Sequence, residues 1–383
     1  MIGVIELFDD KLFDRKELAT RPMGLEQLKP GMRLGSTIWD NNGNVLLKAG
    51  VELNDKYIDF LSKMQIEIVG VTDEGSNYNR PQAQDVINTE TRQAAIEQVK
   101  NVLIGAKESG RLVIEPESLY STVGELTGQL LGNRHLIYNL IDLRTQDDYT
   151  FAHSVNVCVL SLMTGITLGY TEEELSDLGV GTLLHDLGKI KIPDEILNKP
   201  GPLSSEEFEI MKTHTTHGYE LIQAAGNLDE YYAQIAIQHH ENYDGSGYPL
   251  GLKGAQIREY AQVAAIADRF DAITANRVYR KSFPPFEAFA MCQAASNYYV
   301  MESVARAFIY NIAAYPANTV VELNNGMIGI SVDTPKGSSL FPMVRVYYDE
   351  DKKPLATPFD LPLYDTDGVF VVRVIDNYSR AND

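Results

Sequence analysis

The residues best equipped for chemistry are the histidines, and they are unevenly placed. Of seven in the chain, His153, His185, His214, His217, His239 and His240 lie between residues 153 and 240, and His135 lies outside. His185 is followed directly by Asp186, and His239 by His240. A single histidine on an apolar helix is more often a hydrogen-bonded core residue than a ligand. Six in one helical region shift that balance towards metal. Successive helical residues point about 100° apart. His185 and Asp186 therefore meet at one point only beyond a helix rim or through a bridging partner. A metal ion is such a partner, and imidazole with carboxylate suits zinc, iron or manganese.

Collected together, His153, His185, Asp186, His214, His239, His240 and Asp268 are too many ligands for one zinc, which takes about four. They fit two cations sharing a carboxylate. Paired cations about 3.5–4 Å apart clamp the attacking and leaving oxygens of a phosphoryl displacement, and a water bridging them loses a proton near neutral pH. Lys189, one helical turn past His185, would then bind a phosphate oxygen or protonate the leaving group. Taken alone, it reads as a solvated surface lysine. Competing chemistries lack their signatures. There is no Gly-x-x-x-x-Gly-Lys-Ser/Thr phosphate loop and no Gly-x-Ser-x-Gly elbow, and Gly245-Ser246-Gly247 lacks the preceding strand of a dinucleotide fold.

The elements that must position these residues are mostly helices. Asn88-Thr89-Glu90 opens one, with Ile96, Val99, Val102 and Leu103 on a stripe. Pro116 to Leu143 reads as another. A helix carries His153 and runs to Leu168. Thr171-Glu172-Glu173-Glu174 is a capping box for the helix that delivers His185-Asp186. Ser204 or Ser205 caps the helix bearing His214 and His217, and Leu228 to Gln238 leads to His239. Tyr260 to Thr274 places Asp268 and Asp271 three apart on one face. A last helix is expected from about Pro285 to Tyr310. Before this region, Met23 to Val71 reads as a small α+β module. It has strands at Arg33–Trp39, Val45–Leu47 and Ile66–Val71, an Asn42-Gly43 hairpin turn, and a helix capped by Asn54. Residues 1 to about 22 read as an arm. After Pro316 the period switches to alternation, with strands at Thr319–Leu323, Ile328–Val332, Met343–Tyr348 and Val369–Val374. The expected class is mainly α: residues 1–84 a small α+β module and linker, 85–316 the helical catalytic domain, 317–383 a β unit.

Composition sets limits. The net charge of −20 argues against a protein that coats duplex nucleic acid, but not against a small phosphodiester held by cations. Cys158 and Cys292 lie in apolar patterns and read as reduced core thiols. No 18-residue uninterrupted apolar run and no signal-peptide pattern is visible, so a cytoplasmic protein without a membrane span is expected.

The ordered motifs His185-Asp186-x-Gly188-Lys189, Met211-Lys212-x-His214, His239-His240-Glu241, Asp244-Gly245-x-Gly247-Tyr248-Pro249 and Ala267-Asp268-Arg269-Phe270-Asp271-Ala272 resemble the HD-GYP branch of the HD phosphohydrolases. The resemblance runs from about Asp147 to Arg280. It implies an all-helical domain that hydrolyses cyclic di-GMP to pGpG or GMP at a two- or three-metal site, commonly iron or manganese. By that resemblance His153, His185, Asp186 and Asp268 hold one metal, Asp186 bridges, and His214, His239 and His240 hold the second. Lys189 and Asp271 support the reaction from behind the ligands. Arg277 and Arg280 match positions that grip substrate phosphates, with ordinary surface arginines the competing reading. Tyr248 and Pro249 belong to a loop that shapes the pocket or meets a diguanylate cyclase (GGDEF) partner. His217 matches no ligand position. Members with three metals carry a glutamate four residues before the first histidine. Tyr149 stands there in this chain, so two metals are expected.

The expected function is hydrolysis of a cyclic dinucleotide, cyclic di-GMP by default, with 3′3′-cyclic GMP-AMP open. Two alternatives stand beside it: a one-metal phosphohydrolase acting on mononucleotides, and a dinucleotide sensor or docking module without turnover. A homodimer is left open.

Overall fold

The N-terminal module is built from β1 (Thr20–Gly24), β2 (Ile38–Trp39), β3 (Val45–Leu47), α1 (Asp55–Lys63) and β4 (Ile68–Thr72). The computed structural model describes residues 20–35, 38–39, 45–48, 50–64, 66, 68–72, 85–138, 149–274 and 283–375. Asn54 caps α1 through the Tyr57 amide, as its residue type predicts. β1 pairs antiparallel with β4, so Thr20 to Pro22 are not an arm but the start of a strand. The Arg33–Trp39 strand is interrupted: Arg33 and Leu34 make single bridges, to Glu52 and Val71. The expected Asn42-Gly43 turn lies outside the described residues.

The helical region begins with α2 (Thr89–Ser109) and α3 (Pro116–Gly132), followed by α4 (Tyr149–Leu168) and α5 (Glu172–Leu183). Asn88 caps α2, and the Thr171–Glu174 box closes reciprocally on α5. α3 stops at Gly132, short of the expected Leu143; Asn133 caps its end. After α5, a 3-10 turn at Leu187–Lys191 leads to α6 (Asp194–Leu197), α7 (Ser205–Lys212), α8 (His214–Ala225) and α9 (Glu230–Gln238). The single helix expected to carry His214 is split at Thr213, which ends α7 and precedes α8.

α10 (Glu259–Thr274) is followed by α11 (Pro285–Ala294) and α12 (Glu302–Ile309). The last helix was expected to be continuous, but it breaks between these two. Asn297 has φ 57°, and the carbonyls of Tyr298 and Tyr299 turn outward to accept the Asp244 and Tyr243 amides. The break thus anchors the glycine-rich loop of the site.

α4 is the central helix. Val155, Val157, Cys158, Val159, Leu160 and Leu162 are all nearly inaccessible, so it is covered on every side. Each such aliphatic side chain contributes about 1.5–3 kcal/mol on burial, which holds rigid the helix that presents His153. By length and composition Phe151–Leu168 would span a bilayer, the single such helix among the described residues, yet 78% of it is buried within the protein.

The C-terminal unit is an antiparallel sheet in the order β8-β7-β6-β5-β9, formed by β5 (Val320–Leu323), β6 (Ile328–Asp333), β7 (Met343–Tyr348), β8 (Pro354–Pro362) and β9 (Val371–Val374). β8 was not expected from the sequence. Its prolines at 354, 358 and 362 mask the alternation, and an edge strand tolerates them. The unit is tied to its neighbours. The Tyr348 hydroxyl accepts the Gly24 amide at 3.0 Å, and the Ser339 hydroxyl donates to the Ile309 carbonyl at 2.7 Å.

Candidate metal centre

Helix α5 ends at Leu183, and His185 and Asp186 follow in the turn beyond its rim. Gly188 lets that turn press on α8: a Cβ there would lie 1.8 Å from the His214 carbonyl oxygen and 2.4 Å from the Gly218 amide nitrogen. Only a bare backbone permits this approach, and it brings Asp186 against His214.

The Asp186 carboxylate divides its surroundings in two. Its Oδ2 lies 3.3 Å from His185 Nε2, 3.6 Å from His153 Nε2 and 2.5 Å from Lys189 Nζ. Its Oδ1 faces His214 Nε2 at 3.4 Å and His239 Nε2 at 3.9 Å. Donor atoms of His153, His185 and Asp268 lie within 4.8 Å of one another, and so do those of His214, His239 and His240. The seven side chains expected to be ligands therefore gather in one place, three on either side of Asp186, and His185, Asp186 and His239 also lie within 4.8 Å of one another across the divide.

The ring orientations follow from local structure. His185 Nδ1 lies 2.7 Å from the Thr182 carbonyl, His214 Nδ1 2.7 Å from that of Met211, and His239 Nδ1 2.9 Å from that of Ala236. A carbonyl can only accept, so each Nδ1 carries the proton and each Nε2 keeps its lone pair turned inward. His153 differs, because a carboxylate faces each of its ring nitrogens. Its Nδ1 lies 2.7 Å from Asp271 Oδ2, while Nε2 lies 3.1 Å from Asp268 Oδ1. Asp268 and Asp271, three apart on α10, thus grip one ring from opposite edges.

Buried charge shapes the protonation states. Burial disfavours a cationic His153, but the bonds and fields of Asp268 and Asp271 outweigh it and raise its pKa to about 9. Burial lowers His240 to about 3, with the neighbouring His214 and Lys189 adding to the effect. His239 is pushed well below its ordinary value by burial and then by His240, and His214 is lowered by burial and by Lys189. Burial opposes ionisation of Asp186, yet Lys189 and His185 hold it well below the usual carboxylate range. Asp268 is likewise ionised against its burial, through His153.

These residues fit divalent metal ions. Asp186 Oδ1 and His185 Nε2 are buried and make no hydrogen bond. Such atoms are costly to leave unsatisfied, and bound cations would satisfy them. The imidazole–carboxylate donor set suits iron, manganese or zinc.

The glycine-rich loop closes the second group. Tyr248 stacks on His240 with ring centres 4.8 Å apart, and its amide donates to the His240 carbonyl at 3.1 Å. Gly247 packs on the preceding strand of chain, where a Cβ would come 2.3 Å from the Asn242 nitrogen. Glu241 was quoted above only as part of a motif. Its buried carboxylate accepts the amides of Leu250, Gly251 and Leu252 at 2.6, 3.1 and 3.0 Å, which clamps the loop beside the site. Pro249 lies exposed next to Tyr248. The signal was readable: an acidic residue beside two ligands, followed by a glycine-rich loop whose amides need acceptors. His217 lies on the outer side of α8, 3.6 Å from Glu220 and away from the cluster. Arg277 and Arg280 lie outside the described residues, and so does the side chain of Tyr149.

Residues 135–302 match the HD domain family, and residues 320–383 match a KOW domain associated with HD domain. The chain is 31% identical over 275 residues to a cyclic di-GMP phosphodiesterase of Pseudomonas aeruginosa, covering 71% of this chain and 66% of that protein. It is 40% identical over 165 residues to a cyclic di-GMP phosphodiesterase of Thermotoga maritima, covering 43% and 45%. A 3′3′-cGAMP-specific phosphodiesterase of Vibrio cholerae is 38% identical over 152 residues, covering 39% and 29%. The chain therefore spans just under two thirds of the first relative's length and less than half of the other two. The helical region belongs to the HD-domain proteins. Its His-Asp pair, paired histidines and Gly-Tyr-Pro loop set it in their HD-GYP branch.

Proposed function

We propose that this chain hydrolyses a 3′–5′ cyclic dinucleotide, with cyclic di-GMP as the first substrate to test and 3′3′-cyclic GMP-AMP as the second. The observation that carries the reading is the Asp186 carboxylate, with one oxygen facing each of two three-ligand groups. The relatives that the chain resembles include proteins named for each of these substrates.

On this reading His153, His185 and Asp268 hold one divalent ion, His214, His239 and His240 hold another, and Asp186 bridges. Such a pair, iron or manganese, would supply positive charge at the phosphate and acidify the attacking water. The protein's own groups do the rest. Asp271 and the three backbone carbonyls keep the imidazoles in one tautomer. Lys189, part-exposed beside Asp186, carries a proton and a charge to the leaving oxygen. Tyr248 wedges His240 in place and walls the pocket, and exposed Pro249 presents the loop's outer edge to a diguanylate cyclase partner. Arg277 and Arg280 follow α10 in the chain and would meet the substrate phosphates. Two unpaired, buried thiols suit a cytoplasmic setting.

The test is product analysis by chromatography, using anaerobically purified protein loaded with iron or manganese. Linear pGpG or GMP should accumulate from cyclic di-GMP, and the parallel reaction with 3′3′-cyclic GMP-AMP ranks the two. Tight binding of both dinucleotides without product would move the protein to the sensor class. Turnover of mononucleotides by protein carrying one metal per chain would move it to the general phosphohydrolases.

A further inference from the structure

Behind His153 the structure holds polar residues that the site described above does not use. Arg92 lies on the buried stripe of α2 with Ala95, Val99 and Leu103, and is itself only 5% exposed. A guanidinium in an apolar stripe is costly unless its donors are met. Arg92 NH2 donates to both oxygens of Asp85 at 2.9 Å, and NH1 donates to Asn156 Oδ1 at 3.0 Å. Asn156, buried one turn along α4 from His153, donates through Nδ2 to Asp271 Oδ1 at 3.0 Å. Asp271 Oδ2 takes the His153 Nδ1–H at 2.7 Å. Five side chains from α2, α4, α10 and the turn before α2 thus form one continuous series.

The direction of the bonds is determined by chemistry. A guanidinium can only donate and a carboxylate can only accept. The amide between them must therefore turn its oxygen to Arg92 and its nitrogen to Asp271. No apolar side chain, and no aspartate, can satisfy both neighbours. In the other metal group, His214 and His239 are instead oriented by backbone carbonyls, of Met211 in α7 and of Ala236 in α9.

We propose that Arg92 and Asn156 are positioning residues for the metal ion held by His153, His185 and Asp268, acting through the orientation of Asp271. The proposal rests on the two-metal reading given above. It assigns the series to one of the two ions alone, and outer partners of metal-bound histidines are typically worth about 10–100-fold in metal affinity.

The experiment titrates metal-free protein with Mn2+ against a chelating dye and resolves the two binding steps. It uses wild type, Asn156→Asp, Asn156→Leu and Arg92→Met, with the melting temperature of each metal-free protein measured alongside. Each variant should weaken one step by about 10–100-fold and leave the other unchanged. Asn156→Asp, which nearly conserves volume, should be as damaging as Asn156→Leu. A merely structural role would lower the melting temperature and leave both steps of the folded protein intact, or weaken both alike; either result overturns the proposal. Should Arg92→Met fail to fold, the two Asn156 variants decide the matter. A wild type that binds no Mn2+ would overturn the two-metal reading as well, whereas two normal steps in wild type and in every variant overturn the positioning role alone.

Discussion

His153, buried, and His240, partly exposed, are imidazoles of one site, yet they sit in opposite electrostatic settings. His153 lies between Asp268 and Asp271 and is raised to about 9, while His240 lies among histidines under Tyr248 and is lowered to about 3. The group around His153 is rich in carboxylate and, without metal, holds a proton at neutral pH. The group around His214, His239 and His240 is neutral imidazole that is ready to coordinate. The contrast shows that residue type alone does not define a ligand. A histidine beside carboxylates must release a proton to bind a cation, and one among histidines need not. Asp186 faces both halves, one carboxylate oxygen to each.

Replacing Asp186 should therefore have the largest effect, because it damages both groups at once. We expect His185→Ala/Asp186→Ala to lose at least about 10³-fold in turnover, corresponding to about 4 kcal/mol of transition-state stabilisation. Retained hydrolysis by this folded, purified double variant would contradict the site. Single changes should separate the halves. Asp268→Asn and His240→Ala are each expected to reduce bound metal from two ions per chain to one, measured by elemental analysis. Loss of both ions in either variant would show that the halves do not bind independently.

The contrast also has a signature in pH. Free His titrates near 6.5, so a raised His153 stabilises the metal-free fold fully below about pH 6.5, and that contribution fades as pH rises through about 9. Its upper limit is about 3 kcal/mol. The lowered His240 acts in the other direction, because the unfolded chain takes up its proton first. Stability is then lost as pH falls from about 6.5 towards 3. As far as these groups decide, metal-free protein should be most stable near pH 6.5 in urea denaturation. Asp271→Asn should flatten the alkaline side and spare the acidic one. The smallest effect is expected at the loop. Tyr248→Ala removes the stack on His240, worth about 0.5–1.5 kcal/mol, and should weaken the second ion several-fold while Tyr248→Phe leaves it intact.

Much of this site was legible as sequence because its ligands come in short, chemically unusual runs. His185-Asp186 after an apolar helix, His239-His240, and two aspartates three apart on α10 each stand out locally. Arg92 did not, although a charge at the start of the stripe formed by Val99 and Leu103 is a usable sign of a buried ion pair. Glu241 was visible as a motif letter but not as a clamp, since its three partners lie nine to eleven residues downstream. In the fold, β8 was hidden by its prolines. The break between α11 and α12 left no local mark, and the loop that hydrogen-bonds to Tyr298 and Tyr299 lies far from it in the chain.

The sequence by itself determined that this is a mainly helical chain with enough imidazole and carboxylate for more than one cation, since helix caps, apolar periods and ligand runs are all local properties. Only the tertiary structure decided which donors face which oxygen of Asp186, which histidine is charged, and which buried polar groups stand behind Asp271. Those depend on distances between α2, α4, α8 and α10, and on the desolvation their packing imposes, which no local pattern records.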